Sequence, residues 1–310
     1  MKRPRIVVVG SLNMDLVVTA DRAPQTGETL QGESVHFIPG GKGANQAVAC
    51  ARLGAEAHMI GAVGSDPFGT TIVDEMRKNG VLTDRIDVLK DTATGIASIL
   101  HTHEDNSIVI VPGANGEVTP ERVERSRDLI AQADVLLVQL EIPLEAAAAA
   151  LRIARQAGVR TILNPAPARR LPEEMLRSAD YITPNETEFA ILGAYGDGEA
   201  ADDMPPANWE MGLSEWTSRY GHAVILTRGK HGASYVKDGA AETIAAPPVQ
   251  PVDTTGAGDC LNAAFAYGLA SGWDTEHALR FAVRAASLSV TKFGAQDGMP
   301  TLAEVEGLPQ

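Results

Sequence analysis

The sequence predicts an α/β fold: a mostly parallel central sheet between two helical layers, with a small β-sheet lid. Three observations predict it. Ile6 to Val9 is an unbroken β-branched run ending at Gly10, as in a strand buried on both faces. From Pro120 onward, strand-like and helix-like stretches alternate, and repeated βα units place helices on both faces of a parallel sheet. Asp15 to Phe37 and Gly95 to Val111 hold short alternating apolar pieces without a helical period. They read as strands standing off the main body.

Taken in order, Ala44 to Leu53 is small, apolar and helical, and stops at Gly54. Ala57 to Val63 is a second buried strand, and a helix follows near Thr70 to Asn79. Gly95 to Val111 is a hairpin beside the off-body strands. Pro120 to Ala131 is a helix, Val135 to Leu140 a strand, Leu144 to Gln156 an Ala-rich helix and Val159 to Leu163 a strand. Tyr181 to Thr183 and Ala223 to Thr227 are strands around a helix at Glu186 to Leu192. Ser234 to Val236 and Ala241 to Ala245 are short strands. Leu261 to Ser271 and Thr275 to Lys292 are the last helices. Residues 194–212 are polar and read as an exposed loop.

The chain has 310 residues and a net charge of −14, from 26 basic and 40 acidic side chains. That balance argues against a nucleic-acid or anionic-membrane partner. No apolar run approaches the ~20 residues of a membrane span. The run Ile6 to Val9 is too short for a secretory leader. Cys50 and Cys260 sit in apolar helical runs and read as buried free thiols of a reducing, cytoplasmic compartment.

The densest chemistry lies in Asp253-Thr-Thr-Gly-Ala-Gly-Asp259. Small residues let a backbone turn bring its N–H groups to an anion, and an apolar helical run follows directly. An acid inside such a turn suits proton removal from a hydroxyl that attacks a phosphate. The plain alternative is a glycine turn with Asp259 capping a helix.

Further motifs stand in series: Gly40-Gly-Lys-Gly-Ala-Asn-Gln-Ala47, Asn164-Pro-Ala-Pro-Ala168, Thr183-Pro-Asn-Glu-Thr-Glu188 and Thr227-Arg-Gly-Lys-His-Gly232. In this order and spacing, from about Ile6 to about Pro300, the chain resembles the ribokinase (PfkB-type) family of carbohydrate kinases. The resemblance implies one kinase chain: a large domain of about 1–12, 38–94 and 112–310, with a lid from about 13–37 and 95–111. It implies transfer of the ATP γ-phosphate to a primary hydroxyl of a sugar, with D-ribose at O5 as the leading acceptor. A 2-deoxyribose, a nucleoside, fructose or a keto-deoxy sugar acid are alternative acceptors, and a non-catalytic sugar-binding regulator is a distant one.

Carried over by residue, Asp259 resembles the general base, and the Gly256, Ala257 and Gly258 amides an anion hole. Asn13, Asp15, Gly41, Lys42, Asn45 and Glu141 resemble the sugar set, since carboxylates and amides can hold two hydroxyls at once. Asn185, Thr227, Gly229 and Gly258 resemble nucleotide contacts, and Glu188 acts near Mg²⁺, through water. Asn185 to Glu188 also reads simply as a helix start. Asp253 and Thr255, with backbone at Ser289, Lys292, Gly294 and Gly298, resemble a monovalent cation site for K⁺. Gly298 departs from the family's oxygen-bearing residue, and Cys260-Leu261 from its usual pair after the acid. The lid strands, with free edges, imply a homodimer.

Overall fold

The computed structural model describes residues 3–102, 106–193 and 209–308. In chain order its strands are β1 (Arg5–Val9), β2 (Asn13–Thr19), β3 (Ser34–Gly40), β4 (Glu56–Gly64), β5 (Leu82–Leu89), β6 (Gly95–His101), β7 (Asn106–Val111), β8 (Val135–Val138), β9 (Arg160–Leu163), β10 (Tyr181–Ile182), β11 (Ala223–Val224), β12 (Leu226–Thr227), β13 (Ala233–Lys237) and β14 (Ala240–Ile244). Its helices are α1 (Lys42–Arg52), α2 (Pro67–Lys78), α3 (Pro120–Glu124), α4 (Arg127–Ala131), α5 (Leu144–Gln156), α6 (Glu173–Leu176), α7 (Glu186–Ile191), α8 (Trp209–Tyr220), α9 (Ala257–Ala270), α10 (Thr275–Ser289) and α11 (Leu302–Glu306).

Seven strands form the central sheet in the order β11-β10-β9-β8-β1-β4-β5, and every pairing in it is parallel. Strand β1 shows why the expected β-branched run sits at its centre. Successive side chains point to opposite faces, so Ile6 and Val8 enter a core with α1, α2, α9 and α10. Val7 and Val9 enter a second core with α3 to α6 and α8. All four are fully buried, so no polar residue could replace one without a partner.

The off-body strands form a four-stranded sheet in the order β3-β2-β6-β7. Strands β2 and β6 pair in parallel, and the outer pairs are antiparallel. The chain enters this sheet just after β1, leaves it at Gly40 for α1, β4, α2 and β5, and returns from Gly95 to Val111. Strands β12, β13 and β14 make a third, antiparallel sheet.

Several elements differ from expectation. The helix expected over Pro120 to Ala131 is two, because the chain tightens where the Ser126 N–H bonds the Val123 carbonyl. The strand expected over Ala223 to Thr227 divides at Ile225, β11 joining the central sheet and β12 the third one. Strand β5 was hidden by its charges: Asp84, Arg85 and Asp87 interrupt its apolar pattern because it lies at the edge of the sheet. Helix α9 begins at Ala257, earlier than expected, so the glycine turn is its first turn. Of the polar stretch 194–212, residues 194–208 lie outside the described residues, and Trp209–Gly212 open α8. Among the described residues, no helix is long and apolar enough to cross a membrane. Cys50 and Cys260 are free and buried.

Candidate active site

The motifs gather along one edge of the central sheet, outside the carboxyl ends of its strands, where open α/β sheets bind ligands. Ser11 and Asn13 follow β1, Glu141 follows β8, Asn164 follows β9, and Asn185 follows β10. The lid roots and the first turns of α1 and α9 close over the same edge.

Asp259 lies in the first turn of α9, with Gly256 in the left-handed conformation (φ 78°) at the N-cap. A Cβ at Gly256 would also fall 3.0 Å from the Ala295 side chain, so both conformation and space require glycine. Asp259 is therefore not the cap. Its carboxylate points inward and is 6% exposed. Asn45 Nδ2 donates to its Oδ2 at 2.9 Å, and Gln46 Nε2 to its Oδ1 at 3.1 Å. Burial pushes the carboxyl upward, while Lys42 and the two amides work against that shift. Gly258 stays exposed beside it, and its carbonyl accepts from Asn262 Nδ2 at 2.8 Å.

The sugar-set residues stand next to this carboxylate. Glu141 Oε2 accepts from Ser11 Oγ at 2.6 Å, the Lys42 backbone N–H at 3.2 Å and Asn13 Nδ2 at 3.5 Å. Asn115 fixes the orientation of Asn13. Its Nδ2 donates to Asn13 Oδ1 at 2.7 Å and its Oδ1 accepts from the Leu12 N–H at 2.8 Å. Across β2 and β3, Gly40 pairs with Asn13 and Ile38 with Asp15, and a Cβ on Gly40 would fall 2.3 Å from Asp15 Oδ2. Burial, and then repulsion by Glu141 and Asp259, raises the Asp15 carboxyl to about 7. Burial alone would lower the Lys42 ammonium, but Asp259, Glu141, Glu188 and Asp15 together raise it. Gly41 (φ 91°) leaves no room for a side chain beside the Asn13 N–H, 2.7 Å from its would-be Cβ.

The second group lies at the next strands. Asn185 and Glu188 form a capping box: Asn185 Oδ1 accepts from the Glu188 N–H, and Glu188 Oε2 from the Asn185 N–H, both at 2.8 Å. The plain reading of this motif thus holds. Burial still raises the Glu188 carboxyl, opposed by the Asn185 N–H and Lys42. Thr227 bridges Asn185 in parallel, and Gly229 (φ 52°) opens the turn that follows.

The cation-site residues also meet. Asp253 Oδ1 accepts from the Thr255 N–H at 2.9 Å and Thr255 Oγ1 at 2.7 Å, and Oδ2 from the Gly294 N–H at 2.9 Å. A Cβ on Gly298 would fall 2.5 Å from the Ser289 carbonyl oxygen and 3.1 Å from that of Gly294. This is an oxygen-lined cradle that a side chain would fill, and it suits a hard monovalent cation. The Lys292 ammonium pairs with Glu304 at 3.0 Å. Among the described residues, no cluster of three or more His, Cys, Asp or Glu side chains could hold a metal.

Ser11, Gln46, Asn115, Gln139 and Asn164 belong to this polar focus although the sequence assigned them no role. Gln46 and Asn164 stand inside the quoted motifs. The signal for the others is burial of polar side chains in an otherwise apolar edge, which only the fold displays.

A buried acid in a glycine turn at a helix N-terminus, facing a lysine and a set of hydroxyl-binding groups, defines a phosphotransferase-type site on an α/β body with a lid. Residues 3–302 match the family model described as pfkB family carbohydrate kinase. The chain is 48% identical over 303 residues to a ribokinase of Bacillus subtilis, covering 98% of each. It superposes with a TM-score of 0.87 on a structure of Arabidopsis thaliana ribokinase complexed with ribose and ATP, at 32% identity and 98% coverage of each chain. A Thermotoga maritima ribokinase structure superposes at 0.86 with 34% identity, again over 98% of each. The chain belongs to the pfkB family of carbohydrate kinases, and it is a sugar kinase.

Proposed function

We propose that the chain transfers the γ-phosphate of ATP to O5 of D-ribose, giving ribose 5-phosphate and ADP. One observation supports the mechanism: Asp259 is a buried carboxylate with both oxygens held by amides, in the glycine turn that opens α9. In this reading Asp259 takes the proton of the attacking hydroxyl. The Gly256, Ala257 and Gly258 amides, at the positive end of α9, receive the charge that develops on the transferring group. Asn13, Asp15, Gly41, Lys42, Asn45 and Glu141 orient the sugar. Lys42 also offsets the carboxylates that crowd it. Ribose is the acceptor because relatives at 48% and 41% identity are ribokinases over nearly their full length.

Asn185, Thr227, Gly229 and Gly258 would meet the nucleotide. Glu188, half committed to its capping box, would hold Mg²⁺ through water, and the metal would neutralise phosphate charge. Asp253 and Thr255, with the backbone at Ser289, Lys292, Gly294 and Gly298, would hold K⁺, whose charge lies next to the anion hole. The division into body (about 1–12, 38–94, 112–310) and lid (about 13–37, 95–111) belongs to the same reading, the lid excluding water as the sugar binds.

The lid also presents Val35, Phe37, Ile108, Val109, Ile110 and Val111, each between 43% and 65% exposed. Strands β3 and β7 are its free edges. We read this surface as the contact with a second copy, making a homodimer. An enzyme that consumes ATP fits the cytoplasm.

The decisive assay is ADP release with D-ribose, 2-deoxyribose, fructose and a nucleoside, each with and without K⁺. Ribose is expected to give the highest kcat/KM, and K⁺ to raise it. A higher value on another acceptor overturns the assignment of ribose, and indifference to K⁺ overturns the cation site.

A further inference from the structure

Two glutamines lie behind Asp259. Gln46 on α1 and Gln139, just past β8, are both 0% exposed. Gln139 Nε2 donates to Gln46 Oε1 at 2.6 Å. Gln46 Nε2 then donates to Asp259 Oδ1 at 3.1 Å, and it also reaches Asn164 Oδ1 at 3.3 Å. An ionised carboxylate can only accept. That fact sets the direction of the series: Gln46 must turn its amino end to Asp259, so its oxygen faces Gln139, which must turn its own amino end to Gln46.

The far end of the series is left unmet. Gln139 Oε1 is buried and, among the described residues, accepts no hydrogen bond. It is packed against Gly10, where a Cβ would fall 1.9 Å away. A buried acceptor without a donor opposes folding, and an apolar side chain at position 139 would avoid that cost. The glutamine is therefore explained by what its other end does. We propose that Gln139 and Gln46 form a positioning relay for the catalytic base, Gln139 fixing the Gln46 amide and Gln46 holding one oxygen of the Asp259 carboxylate. The inference rests on the reading of Asp259 as that base.

The relay has two consequences. With Asn45 on Oδ2 and Gln46 on Oδ1, each oxygen of Asp259 keeps one lone pair free, and the carboxylate plane is fixed relative to the incoming hydroxyl. The two donors also favour the ionised form against burial. The charged or titratable groups facing Asp259 are Lys42 from α1, Asp15 from β2, Glu141 after β8, Glu188 from α7 and Cys260 on its own helix. The relay variants leave all of them in place.

Gln46→Met and Gln139→Met, close in volume to the originals, test the relay. The acid limb of the kcat–pH profile on ribose is expected to move up by about one pH unit in Gln46→Met, through loss of a donor to the charged form. It is expected to move in the same direction by less in Gln139→Met. A carbon-13 titration of the Asp259 carboxyl, assigned by its absence in Asp259→Asn, should show the same shift without turnover. If Gln46→Met does not fold, Gln139→Met supplies the test. A uniform loss of kcat with both the limb and the titration unmoved would mean that the glutamines only fill space. Asp259→Asn separates the two failures. Near-normal turnover in it removes the base assignment itself, whereas an inactive Asp259→Asn beside unmoved limbs removes the relay alone.

Discussion

The two edges of the central sheet treat charge in opposite ways. At the amino edge, Asp134 accepts from the Arg5 N–H and Asp180 from the Thr161 N–H, each at 2.8 Å, so acids cap the ends of strands. Glu276 takes both Lys237 and Arg280 at 2.7 Å, and those bonds hold its carboxyl below the ordinary range. At the carboxyl edge, Asp15, Glu188 and Asp259 crowd Lys42, and each carboxyl is raised, burial being the first cause. The amino edge has a cavity of about 700 Å³, lined by Arg160, Asp180, His222, Tyr235, Lys237 and Glu276 among others. It exceeds the cleft of about 380 Å³ lined by Asn13, Asn115 and Glu141 at the carboxyl edge. The difference teaches that buried carboxyls raised above their ordinary range, and not volume, point to the candidate site.

Four variants would break or sharpen this contrast. The largest effect is expected for Asp259→Asn, with kcat lowered ~10²–10⁴-fold by loss of a positioned base and ribose KM nearly unchanged, read in steady-state kinetics. Retained turnover would leave the carboxyl edge without its central role.

Next comes Asp15→Asn, expected to raise ribose KM about 10–100-fold, as loss of a hydrogen bond to a charged group implies. Its stability should change the other way. The folded Asp15 carboxyl titrates at about 7 against an ordinary 3.8. The folded chain therefore keeps a proton that the unfolded chain has released between those values. Stability is greatest below the ordinary value and is lost as pH rises through about 7. Asp15→Asn should thus melt higher than wild type at pH 8, the gap narrowing towards pH 4. An equal or lower Tm at pH 8 would mean that the crowding is relieved within the free protein. For the wild type, ribose KM should rise as pH falls below about 7.

Gly298→Ala should cost ~1–3 kcal/mol through overpacking, because its Cβ meets the Ser289 carbonyl at 2.5 Å. Thermal melts should show the lower Tm, and activation by K⁺ should weaken with it. The smallest effect is expected at the amino edge. Tyr235 is 4% exposed, and its hydroxyl has no partner among the described residues. Tyr235→Phe should leave kcat and KM unchanged and Tm equal or slightly higher, since no hydrogen bond is lost. A kinetic change there would show that the two edges are coupled.

Much of the fold was legible because burial imposes periodicity. Ile6 to Val9 had to be a two-sided core strand, and the alternation after Pro120 had to give βα units. Strand β5 was not legible, since an edge strand tolerates the charges of Asp84, Arg85 and Asp87. Nor was the break at Ser126, which is one backbone hydrogen bond. In the site, Asp253 to Asp259 was legible as a turn because only small residues allow it. The capping box at Asn185 and Glu188 followed from local spacing.

The sequence by itself determined most of the elements, the glycine turn at a helix start and the types of side chain gathered in each motif. These depend on neighbours a few residues apart, within reach of one helical turn or one strand pleat. Only the tertiary structure decided which partners meet. Gln46 and Asp259 are 213 residues apart, and Asn115 and Asn13 are 102 apart. It also decided that Asp259 faces inward instead of capping α9, and that Gly298 is a place where two carbonyls converge. Contacts of this kind depend on how whole layers pack, and dense packing leaves one arrangement of amide and carboxylate where the chain alone allows many.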